Sequence, residues 1–209
     1  MTLTVLTTLT SDCDLLPEYV YRLKEDVAAN LSIPHRFACL TDQDLDFGVV
    51  CSRLRYKWPR HYAKINMFDP WFSGRILYLD LSVRIVGSLD EIASQDGVVI
   101  TKDFYYGTPS QSVLLYDGGQ FADTHEFFRM NKEDMIAAGD RCRAPNFYDQ
   151  VVMNFGPTPP MRYWQDVLPG QVVSHRVHCR EGVPKDARIV KFHGKPKPWE
   201  LPEWKASRN

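Results

Sequence analysis

Residues 75–80 read RILYLD, and the unbroken apolar run Ile76, Leu77, Tyr78, Leu79 constrains this chain more than any other stretch. A run this short, apolar on both sides of an extended backbone, is a strand that must be covered on both faces. Other short runs share its character: LTVLTTL (3–9), FACLT (37–41), FGVVCS (47–52), VVIT (98–101), SVLLY (112–116), QVVS (171–174) and RIVKFH (188–193). Helical patterns lie between them. Residues 15–30 put Pro17 at a first helical position and Tyr19, Val20, Leu23 and Val27 at helical spacing. The stretch from Trp58 to Phe72 is helical in part, a helix is expected after Gly118-Gly119, and Asn146 to Phe155 carries another. Ser88-Leu89-Asp90-Glu91 reads as a capping box. Strands separated by helices predict an α/β fold on a mostly parallel sheet flanked by helices.

The chain has 209 residues, no internal repeat and no linker, so a single domain over 1–209 is expected. Its 25 lysines and arginines balance 26 acids, which excludes a global pull toward nucleic acid or an anionic membrane. No run approaches the ~18 apolar residues of a membrane span. The start, MTLTVLTTLTSDCDLL, lacks a basic region and meets Asp12 early, so no signal peptide is expected. The five cysteines form no CxxC pair and read as reduced thiols of a cytoplasmic protein. His175, His178 and Cys179 are read as surface groups on strand and loop rather than a metal cluster. Arg53, Arg55, Lys57 and Arg60 form either a solvated basic face or a phosphate contact. For Trp71, Tyr105 and Tyr106 core packing is the default expectation.

In parallel sheets ligands sit at the carboxyl ends of the strands. Asp80 closes a buried strand there, and two readings stay open on strand geometry alone: a cap for the following turn, or a functional carboxylate.

Three blocks occur in order: KWPRHYAKINMFDPWFSGRILYLDLSVRIVGSLDEI (57–92), NFYDQVVMNF (146–155) and RIVKFHGKPKPWE (188–200). Together they resemble bacterial and phage glycosyltransferases related to glycosyltransferase family 8, the glycogenin-like enzymes, over residues 3–200. The resemblance implies a single GT-A domain, the nucleotide-diphospho-sugar transferase fold. It implies transfer of a sugar from a nucleotide-sugar, usually a UDP-sugar, to a glycan or other hydroxyl acceptor, with retention of configuration. It also implies a divalent metal, manganese or magnesium, on the donor diphosphate. A metal held by carboxylates offsets the charge that develops as the nucleoside diphosphate leaves.

By the same resemblance Asp80 and Ser82 stand where the family has its Asp-X-Asp metal motif, so one carboxylate is replaced by a neutral hydroxyl. The family's histidine ligand lies three residues before the glycine of the C-terminal block, which here is Lys191; His193 directly precedes Gly194. Either His193 serves as the third ligand, or Lys191 sets a fixed positive charge by the diphosphate. Lys197 matches the family's diphosphate lysine, and Gly194 permits close backbone approach. Thr7, Thr8 and Lys64 correspond to nucleotide-sugar contacts. Asp149 and Gln150 match the catalytic Asp-Gln pair at the donor sugar. Pro109 and Gln111 depart from the family's sugar-pocket segment. The departures at 82 and 191 leave two alternatives, a degenerate nucleotide-sugar or glycan-binding protein and a metal-independent transferase.

Overall fold

The computed structural model describes residues 2–46, 48–141 and 150–202. In chain order it contains β1 (Leu3–Leu9), α1 (Pro17–Asn30), β2 (His35–Thr41), β3 (Val50–Arg53), a 3-10 helix (Arg60–Phe68), β4 (Arg75–Leu79) and β5 (Val83–Ile85). Then come α2 (Asp90–Ala93), β6 (Val99–Lys102), β7 (Pro109–Asp117), α3 (Ala122–Met130), α4 (Lys132–Arg141) and α5 (Gln150–Phe155). The chain continues through β8 (Arg162–Tyr163), α6 (Trp164–Val167), β9 (Val172–Ser174), α7 (His175–His178), β10 (Ile189–Lys191) and a short 3-10 helix (Pro198–Glu200).

A seven-stranded sheet has the order β3-β2-β1-β4-β7-β6-β8, and a three-stranded sheet the order β5-β10-β9. In the large sheet only β7 runs against its neighbours, β4 and β6. The other pairings are parallel, so β1, β2 and β4 end at one edge, where β7 begins. Alternation along RILYL explains its apolar run. Leu77 and Leu79 pack with Val20, Leu23 and Val27 of α1 and with Trp164 of α6. Ile76 and Tyr78 pack on the opposite side with Tyr62, Ile65 and Phe68 of the first 3-10 helix and Phe128 of α3.

Some local expectations give way to longer-range partners. The capping box at Ser88 is half formed: Ser88 Oγ accepts from Asp90 N at 3.2 Å, but Leu89 is the N-cap of α2 and the Glu91 carboxylate accepts from Gln171 Nε2 at 2.6 Å instead. The segment after β9 is a helical turn rather than strand and loop, because Ser174 caps it, its Oγ accepting from Val177 N at 3.4 Å. His178 stays exposed, while His175 stacks on Phe192. The helix predicted within 58–72 takes the 3-10 form, and the last predicted strand stops at Lys191. Trp71, Tyr105 and Tyr106 are exposed, against the core-packing expectation. Of the predicted 47–52 strand, Phe47 lies outside the described residues; of the 146–155 helix, residues 146–149 do.

Candidate active site

Asp80 is the first residue past β4. Its N–H donates to Ser112 O at 2.9 Å, pinning it to β7, and Val83 N donates to its carbonyl at 3.1 Å to close a tight turn. The side chain completes that turn, since Ser82 N and Oγ donate to Asp80 Oδ1 at 3.0 and 3.1 Å. The other oxygen, Oδ2, accepts from Lys64 Nζ, which the 3-10 helix delivers. Burial pushes the Asp80 pKa up, but the charge and hydrogen bond of Lys64, the Ser82 N–H and the nearby Lys197 outweigh it. The carboxyl is held well below the usual range.

The next wall comes from a bulge in β7. Pairing with β6 jumps from Ile100–Leu114 to Thr101–Ser110, so residues 111–113 stand opposite no β6 residue. Bulges re-aim side chains. Val113 O, freed from the ladder, accepts from Trp164 Nε1 at 3.0 Å and Thr101 Oγ1 at 3.2 Å. Ser110 Oγ accepts from Lys191 Nζ at 2.7 Å and from Gln150 Nε2 at 3.4 Å. Gln111 is 1% exposed, yet neither of its amide atoms has a hydrogen-bond partner in the protein. A buried amide left this way is costly unless a ligand completes it.

The C-terminal block forms the third wall. Lys191 pairs with Val83 across β10 and β5, and Phe192 N donates to Ser82 O at 3.0 Å, so the block lies against the Asp80 turn. Lys191 Nζ also faces Asp103 Oδ2 at 4.0 Å. His193 is 4% exposed, meets the rings of Phe104 and Tyr105 edge-on, and has no partner on either ring nitrogen. Burial, then the charge of Lys191, with Lys197 and Arg176 adding and Asp103 opposing, pushes its pKa down to about 4. Gly194 takes φ +60°, a conformation that favours glycine. The half-buried Lys197 has its pKa lowered by burial and by Lys64, with Asp80 opposing. Trp199 stacks on Tyr19 at 4.0 Å between centroids and docks the block onto α1.

The His193 shift has a measurable consequence. The folded protein holds this ring neutral between pH 6.5 and about 4, where the unfolded chain binds a proton, so stability falls as pH falls through that window. The slope from this group approaches about 1.4 kcal/mol per pH unit. Urea denaturation between pH 4 and 7 should show the wild type losing more stability than His193→Asn over the same range; parallel curves would refute the assignment.

These elements enclose a cleft of about 380 Å³ at the carboxyl edge of the sheet. Among the residues expected from sequence, Thr8, Lys64, Asp80, Ser82 and Gln150 line it. So do Lys191, His193, Gly194 and Lys197. Thr7 is fully buried and does not line it, and Asp149 lies outside the described residues. The loop after β1, Asp12 to Leu15, also lines the cleft and was not expected to, and of the basic cluster Arg60 lines it. Arg60 has φ +50°, its N–H donating to Asp12 Oδ2 at 2.5 Å and its Nη2 to Asp140 at 3.1 Å. The rule that loops at the carboxyl ends carry ligands was the signal available for Asp12 to Leu15. In the basic cluster Arg53 pairs with Asp44 and Arg55 with Asp69.

No family model and no curated protein matches this sequence. Solved structures do match it. The galactosyltransferase LgtC, determined in complex with donor and acceptor sugar analogs, aligns with a TM-score of 0.66 at 14% identity, covering 98% of this chain and 93% of LgtC. The glycosyltransferase GlyE of Streptococcus pneumoniae TIGR4 aligns with a TM-score of 0.68 at 14% identity, covering 99% of this chain and 61% of GlyE. The chain has the GT-A fold.

The GT-A likeness raises the question of a divalent cation on Asp80, Ser82 and His193. Asp80 offers Oδ1 already engaged by Ser82 and Oδ2 already engaged by an ammonium. Ser82 contributes a neutral hydroxyl whose proton goes to Asp80. His193, with both nitrogens open, is the one strong ligand left, and it stands beside Lys191. Among the described residues no three His, Cys, Asp or Glu side chains are grouped to hold a metal ion. This donor set does not fit a resident divalent cation.

Proposed function

We propose that the protein is a glycosyltransferase that moves a sugar from a nucleotide-sugar, with a UDP-sugar as first candidate, to a hydroxyl of a glycan or other acceptor, retaining configuration. The observation that carries this reading is the convergence of Lys64, Lys191 and Lys197 with a neutral His193 on one cleft at the carboxyl edge of a GT-A sheet. Thr8 and the Asp12–Leu15 loop would receive the nucleoside, the lysines the diphosphate, and Gln150 with Asp149 the sugar. The anomeric C–O bond breaks with its electron pair on the diphosphate. The acceptor oxygen bonds to the anomeric carbon, and its proton passes to the departing phosphate oxygen. Lysine ammonium groups fixed before the reaction stabilise the charge as it appears.

A single domain acting in the cytoplasm accords with this proposal. Among the described residues Cys13, Cys39, Cys51 and Cys179 are free thiols, and no helix is long and apolar enough to cross a membrane. The second reading, a nucleotide-sugar or glycan-binding protein without turnover, is favoured by Ser82 and Lys191 at the two ligand positions. An assay of nucleoside diphosphate release from a panel of sugar donors separates the two. Release from any donor, stimulated by an acceptor sugar, supports the transferase. UDP binding by calorimetry with no release from any donor supports the binding protein.

A further inference from the structure

We infer that Lys64, Lys191 and Lys197 supply the positive charge on the donor diphosphate in place of a divalent cation, so that the site binds and works without metal. This rests on the nucleotide-sugar reading above. Both positions at which the resemblance puts additional metal ligands have changed, residue 82 to a hydroxyl and residue 191 to an ammonium. They are also neighbours: Lys191 pairs with Val83, the residue after Ser82, across the small sheet. Against the pattern the resemblance implies, a hydroxyl stands for an acid and an ammonium for an imidazole at one place.

Lys191 is built in rather than trailing in solvent. It is 7% exposed, its ammonium donates to Ser110 Oγ at 2.7 Å, and Asp103 gives it a counter-charge at 4.0 Å. Asp103 is held in turn by Tyr105 N and Tyr106 N, which donate to its Oδ1 at 2.9 and 3.0 Å. A buried ammonium is expensive, and here a serine and a fixed carboxylate maintain it at the cleft wall. Lys64 approaches from the 3-10 helix and Lys197 from the C-terminal block, both close enough to Asp80 to act on its ionisation. A cation entering this place would have to displace Lys64 from Asp80 and then stand against Lys191. A diphosphate entering it meets donors on three sides.

The test is calorimetric titration of UDP, and of inorganic pyrophosphate, into the full chain in EDTA and in manganese. The wild-type Kd for UDP should agree between the two within about two-fold. Lys191→Ala should weaken binding in EDTA by about 30-fold or more, on the scale of a lost charge-assisted contact. Lys191→Gln keeps a donor toward Ser110 without the charge, and should weaken binding comparably while circular dichroism confirms its fold. Manganese tightening wild-type binding tenfold or more, no UDP binding in EDTA, or a folded Lys191→Gln with unchanged affinity would each overturn the inference. Its failure is distinct from failure of the transferase reading. Donor turnover that needs manganese keeps the transferase and removes the lysine replacement; tight UDP binding in EDTA with no turnover of any donor does the reverse.

Discussion

Asp80→Ala is expected to destabilise the folded protein by about 2–3 kcal/mol. Removing one member of a buried ion pair leaves the other charge uncompensated, which costs about 3–5 kcal/mol when burial is complete. The Asp80 and Lys64 side chains keep 15% and 17% exposure, which places the cost below that range. The 80–82 turn loses its side-chain closure at the same time, because Ser82 N and Oγ both donate to the missing carboxylate. Asp80 and Lys64 contact each other directly, so their effects should couple, and the Asp80→Ala, Lys64→Ala double variant should lose less stability than the two single losses added. The pH dependence has a definite sign. The folded pKa of Asp80 lies below its ordinary 3.8, so its stabilising contribution is present above about pH 4 and lost as pH falls through the folded value. Urea denaturation should therefore show wild type and Asp80→Ala far apart at pH 7 and drawing together as pH falls below about 4. An Asp80→Ala protein as stable as wild type at pH 7 would show that neither the Lys64 contact nor the closure of the 80–82 turn stabilises the fold.

The parts of the fold legible in the sequence are those whose burial leaves a local mark. β4 was readable because both of its faces are covered, and α1 because Val20, Leu23 and Val27 fall on one stripe behind a proline start. The reversed direction of β7 leaves no such mark, since an apolar strand reads the same either way. The bulge at residues 111–113 was equally silent, being a relation between β7 and β6 rather than a property of either segment. The glutamate half of the capping box failed for a related reason: Glu91 is claimed by Gln171, 80 residues along the chain. The site divides similarly. Asp80, Lys191, His193 and Lys197 could be picked out by motif, and all four line the cleft. Their couplings could not. Lys64 reaches Asp80 over 16 residues and Lys191 reaches Ser110 over 81, and these contacts turn a motif with two substitutions into a charge arrangement of another kind.

Trp164→Ala should cost about 3–5 kcal/mol of stability. For a chain of this length that corresponds to a fall in Tm of roughly 8–15 °C. Trp164 is fully buried among Leu77, Leu79, Val113 and Leu115, so truncation opens a cavity directly beneath β4 and β7. It also removes the indole N–H from Val113 O, a carbonyl that the β7 bulge has already taken out of the ladder and that would keep only Thr101 Oγ1. Trp164→Phe separates the two contributions: it fills most of the volume and loses only the hydrogen bond, for about 1 kcal/mol. If the indole holds the bulge open, Trp164→Phe should also weaken donor binding while lowering Tm by only roughly 2–4 °C, because Gln111 and Ser112 are set by that bulge and line the cleft. A Trp164→Phe protein with unaltered donor affinity would show that Thr101 suffices to hold Val113, leaving Trp164 as packing alone.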